Sequence, residues 1–325
     1  MKYRQFGKLP WNVSEVGLGT WQFGGDWGTI DETTACSILS AAIDHGVNFF
    51  DTADVYGSGR SESIIGGFLS GCSETVYVAT KLGRLEGYPD GYSRELFRRC
   101  TENSLRRLRR NTIDLMQLHC IPLPLMERGE VFHWLRELRQ EGKIRAFGAS
   151  VETAEEARIC LQQDDLASLQ VIFNIFRQQP AEAFFKDAEN NGTALIIRVP
   201  LASGLLSGKF NVATEFPSAD HRNYNRNGEA FSAGETFSGL EFRYGLECVE
   251  SLRPQVPAGI SMAAFALRWI LDFPEVSVVI PGASKVAQVE SNTAVSELEQ
   301  FSPSLHTSLQ EFYREKIEGH IRGPL

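Results

Sequence analysis

Four side chains in the first half of the chain have the types needed to deliver a proton to oxygen: Asp51, Tyr56, Lys81 and His119. A phenol with a pKa near ~10 is a poor acid at neutral pH unless a cation stands beside it. Lys81, as an ammonium, would supply that cation and is expected to lower the Tyr56 pKa toward neutrality. Asp51 would hold the lysine charged and oriented. His119 would donate to a carbonyl oxygen that the Tyr56 hydroxyl also bonds. Such a set stabilises and protonates a developing alkoxide, which is what carbonyl reduction requires. It contains no nucleophile–base pair, and its carboxylates do not make a glycosidase-like pair. Taken singly, Lys81 reads as a solvated lysine and His119 as a core histidine. The argument rests on their convergence.

Convergence requires elements that bring these residues to one place. Apolar, β-branched runs at 16–19, 47–50, 75–80, 114–118, 144–149, 169–173, 194–199 and 276–280 read as eight strands. Segments with helical periodicity lie between them, such as 32–44, 94–108 and 131–140. Strict alternation implies a parallel sheet, and eight repeats favour a closed (β/α)8 TIM barrel in a single domain, 1–325. In that fold the carboxyl ends of the strands form the active face. Asp51, Lys81, His119, Ser150, Gln170 and Arg198 all fall at or near such ends. Residues 2–6 and 13–16 predict a short N-terminal β-hairpin. Roughly forty residues separate Val199 from a helix near Gly239, and a polar connection this long predicts a lid over the active face.

Reduction also needs an electron source. The Rossmann fingerprint is absent, because Glu62 stands where the third glycine after Gly57-Ser-Gly59 belongs. Gly204-Leu-Leu-Ser-Gly208-Lys209 fails as a Walker loop: it is one residue short between its glycines, and Phe210 follows. The last strand, however, runs through Ile280-Pro-Gly-Ala-Ser-Lys285 into a helix. Free amides, Ser284 and Lys285 at a helix amino terminus suit a phosphate, although a plain helix cap by Ser284 is an equal reading.

Composition narrows the classes. A net charge of -9 argues against wholesale nucleic-acid binding. No apolar run approaches the ~20 residues needed to span a bilayer, so no membrane partner is expected. Six cysteines without a Cys-x-x-Cys pair fit reduced thiols in a cytoplasmic protein and give no metal site.

The motifs together resemble the aldo-keto reductases, the NADPH-dependent (β/α)8-barrel oxidoreductases. The likeness runs from Val13-Ser-Glu-Val-Gly-Leu-Gly-Thr-Trp21 through Phe50-Asp-Thr-Ala-Asp-Val-Tyr-Gly57, Ala79-Thr-Lys81 and Asp114-Leu-Met-Gln-Leu-His119. It continues in Gly142-Lys-Ile-Arg-Ala-Phe-Gly-Ala-Ser150, Pro200-Leu-Ala-Ser-Gly-Leu-Leu-Ser-Gly-Lys209 and Ile280-Pro-Gly-Ala-Ser284. The resemblance implies a catalytic tetrad of Asp51, Tyr56, Lys81 and His119. It implies that Ser150 and Gln170 hold the nicotinamide carboxamide, and that Leu201, Ser203, Leu206, Ser207 and Lys209 line the pyrophosphate path. Ser284 and Lys285 would face the 2′-phosphate, with Gln288 and Asn292 at the adenosine end. Gly19, Thr20, Trp21, Arg198, Pro200, Gly204, Pro281 and Gly282 complete the implied NADP(H) contacts.

Three positions depart from the family pattern: Val151 replaces a common asparagine, Arg198 a stacking tyrosine, and Ser291 an acidic residue near adenine. The Arg198 guanidinium is still able to stack on the ring. The reading is therefore NADPH-dependent reduction of a small-molecule aldehyde or ketone. One alternative is a cofactor-binding regulatory subunit or redox sensor with little turnover. Another is a phosphate-handling isomerase or aldolase using Lys81 as base or Schiff-base nucleophile. Loops 21–29, 121–126 and 210–238 would set specificity, with Trp21, Phe23 and Trp27 as an aromatic wall.

Overall fold

The computed structural model describes residues 1–28 and 30–323; Thr29, the end of the first specificity loop, lies outside the described residues. Tyr3–Gln5 (β1) and Asn12–Ser14 (β2) pair antiparallel, a shorter hairpin than the sequence predicts. It forms the floor of the barrel. Phe6 stacks on Phe49 with centroids 5.5 Å apart, and Trp11 stacks on Tyr77 at 4.9 Å. Burying a large apolar side chain in this way contributes about 1.5–3 kcal/mol.

Above the floor stand Leu18–Gly19 (β3), Phe49–Asp51 (β4), Tyr77–Leu82 (β5), Ile113–His119 (β6), Ile144–Ser150 (β7), Ser168–Ile172 (β8), Ala194–Arg198 (β9) and Val276–Val279 (β10). They form one parallel sheet in sequence order. Bridges from Val16 to Val279 and from Gly19 to Gly282 join its two edges, so the sheet closes as a (β/α)8 barrel. Several strands run further than the apolar runs suggest. The polar residues Asp51, Lys81, His119 and Ser150 are themselves paired in the ladder: Lys81 sits opposite Gln117, and His119 opposite Ser150.

Side chains alternate along each strand. Phe49, Ala79, Leu115, Ala146, Ala194, Ile196 and Val278 fill the barrel interior in one apolar cluster. Phe50, Val78, Met116, Phe147, Leu169, Leu195 and Val279 face outward, in the second cluster with the helices. Stepping two residues from the interior layer leads from Phe49 to Asp51, from Ala79 to Lys81 and from Ile196 to Arg198. The period of the strand alone delivers these polar groups to the barrel mouth.

The helices Glu32–Asp44 and Arg94–Leu108 match the sequence reading, because their caps are local. Asp31 accepts from Thr34 N at 2.7 Å, and Ser93 from Leu96 N at 3.1 Å. Glu62, which broke the dinucleotide fingerprint, has a structural job: fully buried, it accepts from Thr80 Oγ1 and from Arg107 Nε, both at 2.6 Å. The long connection before the helix Phe242–Leu252 is not loose. It contains the turns Ala202–Ser207, His221–Tyr224, Ala233–Glu235 and Phe237–Gly239. Asp220, His221, Asn225 and Thr236 within it are fully buried. Among the described residues no helix is long and apolar enough to cross a membrane.

Candidate active site

Lys81 organises the mouth. Its Nζ donates to Asp51 Oδ1 at 2.5 Å, to Thr52 O at 2.8 Å and to the Tyr56 hydroxyl at 3.1 Å. Three oxygens thus saturate the three N–H bonds of the ammonium. Asp51 is steadied in turn by Gln170 Nε2 at 2.7 Å and Gln117 Nε2 at 3.3 Å. The His119 ring stands edge-on to Tyr56, with centroids 6.0 Å apart. All four expected residues therefore converge.

The electrostatics differ from expectation at one point. Burial pushes the Tyr56 phenol above its ordinary value, and the opposing pull of Lys81 and Arg198 is smaller. The hydroxyl keeps its proton at neutral pH; it is not poised near neutrality as the sequence predicts. Burial also works against the Lys81 ammonium, but the attraction of Asp51 and Tyr56 outweighs it and raises the lysine pKa. Burial, then the nearby cations Arg84 and Lys81, hold His119 well below its usual range, so its imidazole is neutral. Its Nδ1 is buried without a hydrogen-bond partner.

A cavity of about 610 Å³ opens beside this cluster. Asp51, Tyr56, His119, Gln170 and Arg198 line it, with Gly19, Thr20 and Trp21. Pro200, Leu201, Ser203, Gly204, Ser207 and Lys209 also line it, as do Pro281, Gly282, Ser284 and Gln288. Five expected residues do not line it. Lys81 and Ser150 are fully buried, and the Leu206 side chain lies in the apolar core, where it packs and makes no wall of the cleft. Lys285 and Asn292 are not in the lining either, although Asn292 Nδ2 lies 3.5 Å from the carbonyl oxygen of the lining residue Gly282.

Several hydroxyls and amides are already committed. Thr20 Oγ1 donates to Asp51 O at 2.8 Å, and Ser203 Oγ to Glu235 O at 3.1 Å. The Gln170 amide nitrogen is used on Asp51, which leaves its oxygen to accept. Ser284 donates from both N and Oγ to Gln288 Oε1, at 2.7 and 3.0 Å. Arg198 lies against the cavity wall, 3.3 Å from Val151 O and 3.5 Å from Cys120 Sγ, with its Nε buried and unpartnered. Gln22 Oε1, also buried in the cleft lining, has no partner either.

The aromatic wall expected at Trp21 and Trp27 exists. Trp21 stacks on Tyr56 at 5.9 Å and 17°, and meets Trp27 edge-on at 5.5 Å. Phe23, the third residue proposed for it, is fully buried and does not line the cavity. From the long connection Phe231 completes the wall, 6.1 Å from Trp21, while His221, fully buried and outside the lining, packs 4.6 Å from Trp21. Asp26 fastens the two segments, accepting from Trp21 Nε1 at 2.8 Å and from the Tyr224 hydroxyl at 3.2 Å. Sequence reasoning missed Gln117, Arg84 and Glu235. Gln117 was within reach, since it lies two residues before His119 and shares its inward face.

Cys120, Glu152 and Glu235 offer ligand atoms within 4.8 Å of one another, a spacing a metal ion could use. Arg84 already bridges both carboxylates, and burial pushes the Cys120 thiol up to about 11. The cluster is an ion-pair network with a protonated thiol.

The model of the Aldo/keto reductase family matches residues 15–314. The chain belongs to this family. Aldo-keto reductase YhdN of Bacillus subtilis is 32% identical over 338 residues, covering 100% of the chain and 96% of that protein. The glycerol dehydrogenase AKR11B4 of Gluconobacter oxydans superposes with a TM-score of 0.79 at 30% identity, over 100% of this chain and 97% of that one. An aldo-keto reductase from Klebsiella pneumoniae, solved in complex with NADPH, shares the fold at a TM-score of 0.72 and 23% identity, over 100% and 99% of the two chains. As a member of this family the chain is an oxidoreductase.

Proposed function

We propose that this aldo-keto reductase reduces an aldehyde or ketone to an alcohol with NADPH as hydride donor and Tyr56 as general acid. The observation that carries the reading is the Lys81 ammonium bonded at once to Asp51 and to the Tyr56 hydroxyl, beside a neutral His119, at a cavity that Asp51, Tyr56 and His119 line.

The residues present fit a dinucleotide. Two buried polar atoms of the cleft lining, Gln22 Oε1 and Arg198 Nε, lack partners within the protein. Gln170, with Ser150 behind it, would meet the nicotinamide carboxamide. Ser203, Ser207 and Lys209 would flank the pyrophosphate, and Ser284 and Gln288 the adenosine end. Lys285, next in the chain after the lining residue Ser284, would attract a 2′-phosphate. The bound cofactor would supply the hydride that the protein itself lacks.

The chain's own residues do the rest. A carbonyl oxygen between Tyr56 and His119 accepts a hydrogen bond from the phenol and one from the N–H of the neutral imidazole. As negative charge develops on that oxygen, the Tyr56 proton moves to it. Lys81, 3.1 Å away, stabilises the phenolate left behind, and Asp51 keeps the ammonium in place. Schiff-base chemistry at Lys81 would need a free, neutral amine. A lysine held charged by three oxygens favours the reductase over the aldolase reading.

Fluorescence titration with NADPH and NADH, followed by a carbonyl panel monitored by NADPH oxidation, tests the proposal. The expected result is saturable NADPH binding, weaker NADH binding and turnover on at least one aldehyde class. Failure to bind either nucleotide would remove the hydride source and the proposal with it.

A further inference from the structure

Glu235 is where the long connection is anchored to the barrel mouth. Its carboxylate lies 2.9 Å from Arg84 and 3.5 Å from Arg198, and Arg84 also reaches Glu152 at 3.2 Å. Arg84 follows β5, Glu152 follows β7 and Arg198 ends β9, so three partners sit on the rigid barrel and only Glu235 on the loop. The Glu235 side chain is 4% exposed, and those of Arg84, Arg198 and Glu152 no more than 19%. All four nevertheless line the cavity that holds Tyr56 and His119. The backbone on either side is stitched to Ser203, whose hydroxyl donates to Glu235 O and accepts from Phe237 N, each at 3.1 Å.

A buried ion cluster is a weak source of stability, because desolvation offsets most of the attraction. Its effect here is positional. Phe231 precedes Glu235 by four residues, and the Arg84 guanidinium lies over its ring at 5.9 Å. Phe231 lies 6.1 Å from Trp21, and Trp21 stacks on Tyr56. The ion pairs, the cation over the ring and the two aromatic contacts form one path from the loop to the reacting hydroxyl. The wall this path holds in place is made of the aromatic rings of Trp21, Trp27 and Phe231, all of which line the cavity.

Building on the reductase reading, we infer that Glu235 is a positioning residue for substrate selection. By pairing with Arg84 and Arg198 it sets the aromatic wall against the carbonyl subsite, so that carbonyls bearing a flat apolar substituent are preferred over small ones. The substituent would rest on Trp21 and Phe231 while the carbonyl oxygen faces Tyr56 and His119.

The test compares kcat/KM for benzaldehyde and for propionaldehyde, with NADPH, in wild type, Glu235→Gln, Glu235→Asp and Phe231→Ala. Glu235→Gln should cut the benzaldehyde-to-propionaldehyde ratio roughly tenfold, mainly through the KM for benzaldehyde. Glu235→Asp, which keeps the charge, should recover part of it. Phe231→Ala removes only the ring under Arg84 and leaves the Arg84–Glu235 and Arg198–Glu235 pairs in place; it should also lower the ratio, so the inference stays testable if the glutamate variants fold poorly. A ratio unchanged in Glu235→Gln and in Phe231→Ala, with only the melting temperature lowered, would make the cluster a purely structural ion pair and overturn the inference. Absence of NADPH-dependent turnover in the wild type on both aldehydes and the wider panel would instead refute the reductase reading, and this inference would fall with it.

Discussion

Replacing Lys81 with Met gives the sharpest test of how the mouth is held together. Lys81 and Asp51 are buried, with side chains 1% and 3% exposed, and their contact is 2.5 Å. Removing the cation leaves the Asp51 carboxylate in the interior with only the Gln170 and Gln117 amides for support. Removing one partner of a buried pair costs about 3–5 kcal/mol, chiefly because the other charge stays desolvated and unmatched. Lys81→Met and Asp51→Asn should each lose stability in that range. The double variant buries no net charge, so its loss should fall below the sum of the single losses by at least ~2 kcal/mol. Urea denaturation followed by tryptophan fluorescence, with m-values compared across the four proteins, measures the coupling. Losses that simply add would mean that the two groups do not depend on each other, and the description of Lys81 as the organiser of the site would be wrong.

Other consequences are as direct. Burial, then Glu62, pushes the Asp54 carboxyl up to about 7 from 3.8, partly offset by Arg107, and its Oδ1 has no hydrogen-bond partner. A carboxyl raised in the folded state favours folding at low pH and loses that contribution as pH rises through about 7. The swing is of order ~4 kcal/mol. The part of the stability that this carboxyl contributes should therefore fall between pH 4 and 8, so relative to the wild type Asp54→Asn should gain with rising pH and be the more stable protein at pH 8 in urea melts. Gly66→Ala should destabilise by about 2 kcal/mol or more, although alanine is the better helix former by ~1 kcal/mol. The added Cβ would lie 2.2 Å from Arg107 O and 2.6 Å from Leu108 C, backbone atoms that cannot move aside. Lys285→Met should raise the NADPH Kd roughly tenfold at low salt while leaving NADH unchanged, and the difference should shrink as salt is added.

What the sequence made legible was whatever is encoded locally. Asp31 and Ser93 announce their helices because a cap lies within three residues of the amide it satisfies. Asp51, Tyr56, Lys81 and His119 could be gathered in advance because a repeated strand brings its end to the same place each time. The apolar runs at 47–50, 75–80, 114–118 and 144–149 stop short of the strand ends for a physical reason. Lys81 and His119 are polar, yet they remain in the ladder opposite Gln117 and Ser150, and hydropathy alone stops short of them. Burial was the larger blind spot. The Tyr56 phenol has the cation the sequence promised, but its desolvation is a property of the assembled mouth and reverses the expected direction. The long connection reads as a polar lid, and its composition gives no sign that Asn225 is buried with its oxygen taken by the amides of Ala230 and Phe231 at 2.8 and 2.9 Å. The pairing of Arg84 with Glu235, 151 residues apart, leaves no local mark at all.

The central claim is that Tyr56 gives the proton while hydride reaches the carbonyl carbon from NADPH. Single turnover of an aldehyde with NADPH deuterated at the transferable C4 position, in wild type and Tyr56→Phe, tests both halves at once. The account predicts deuterium on the carbinol carbon in the wild type. It also predicts a rate reduced by about 10²–10⁴ in the variant with NADPH affinity retained. A variant that turns over at the wild-type rate, or product without deuterium, would contradict it.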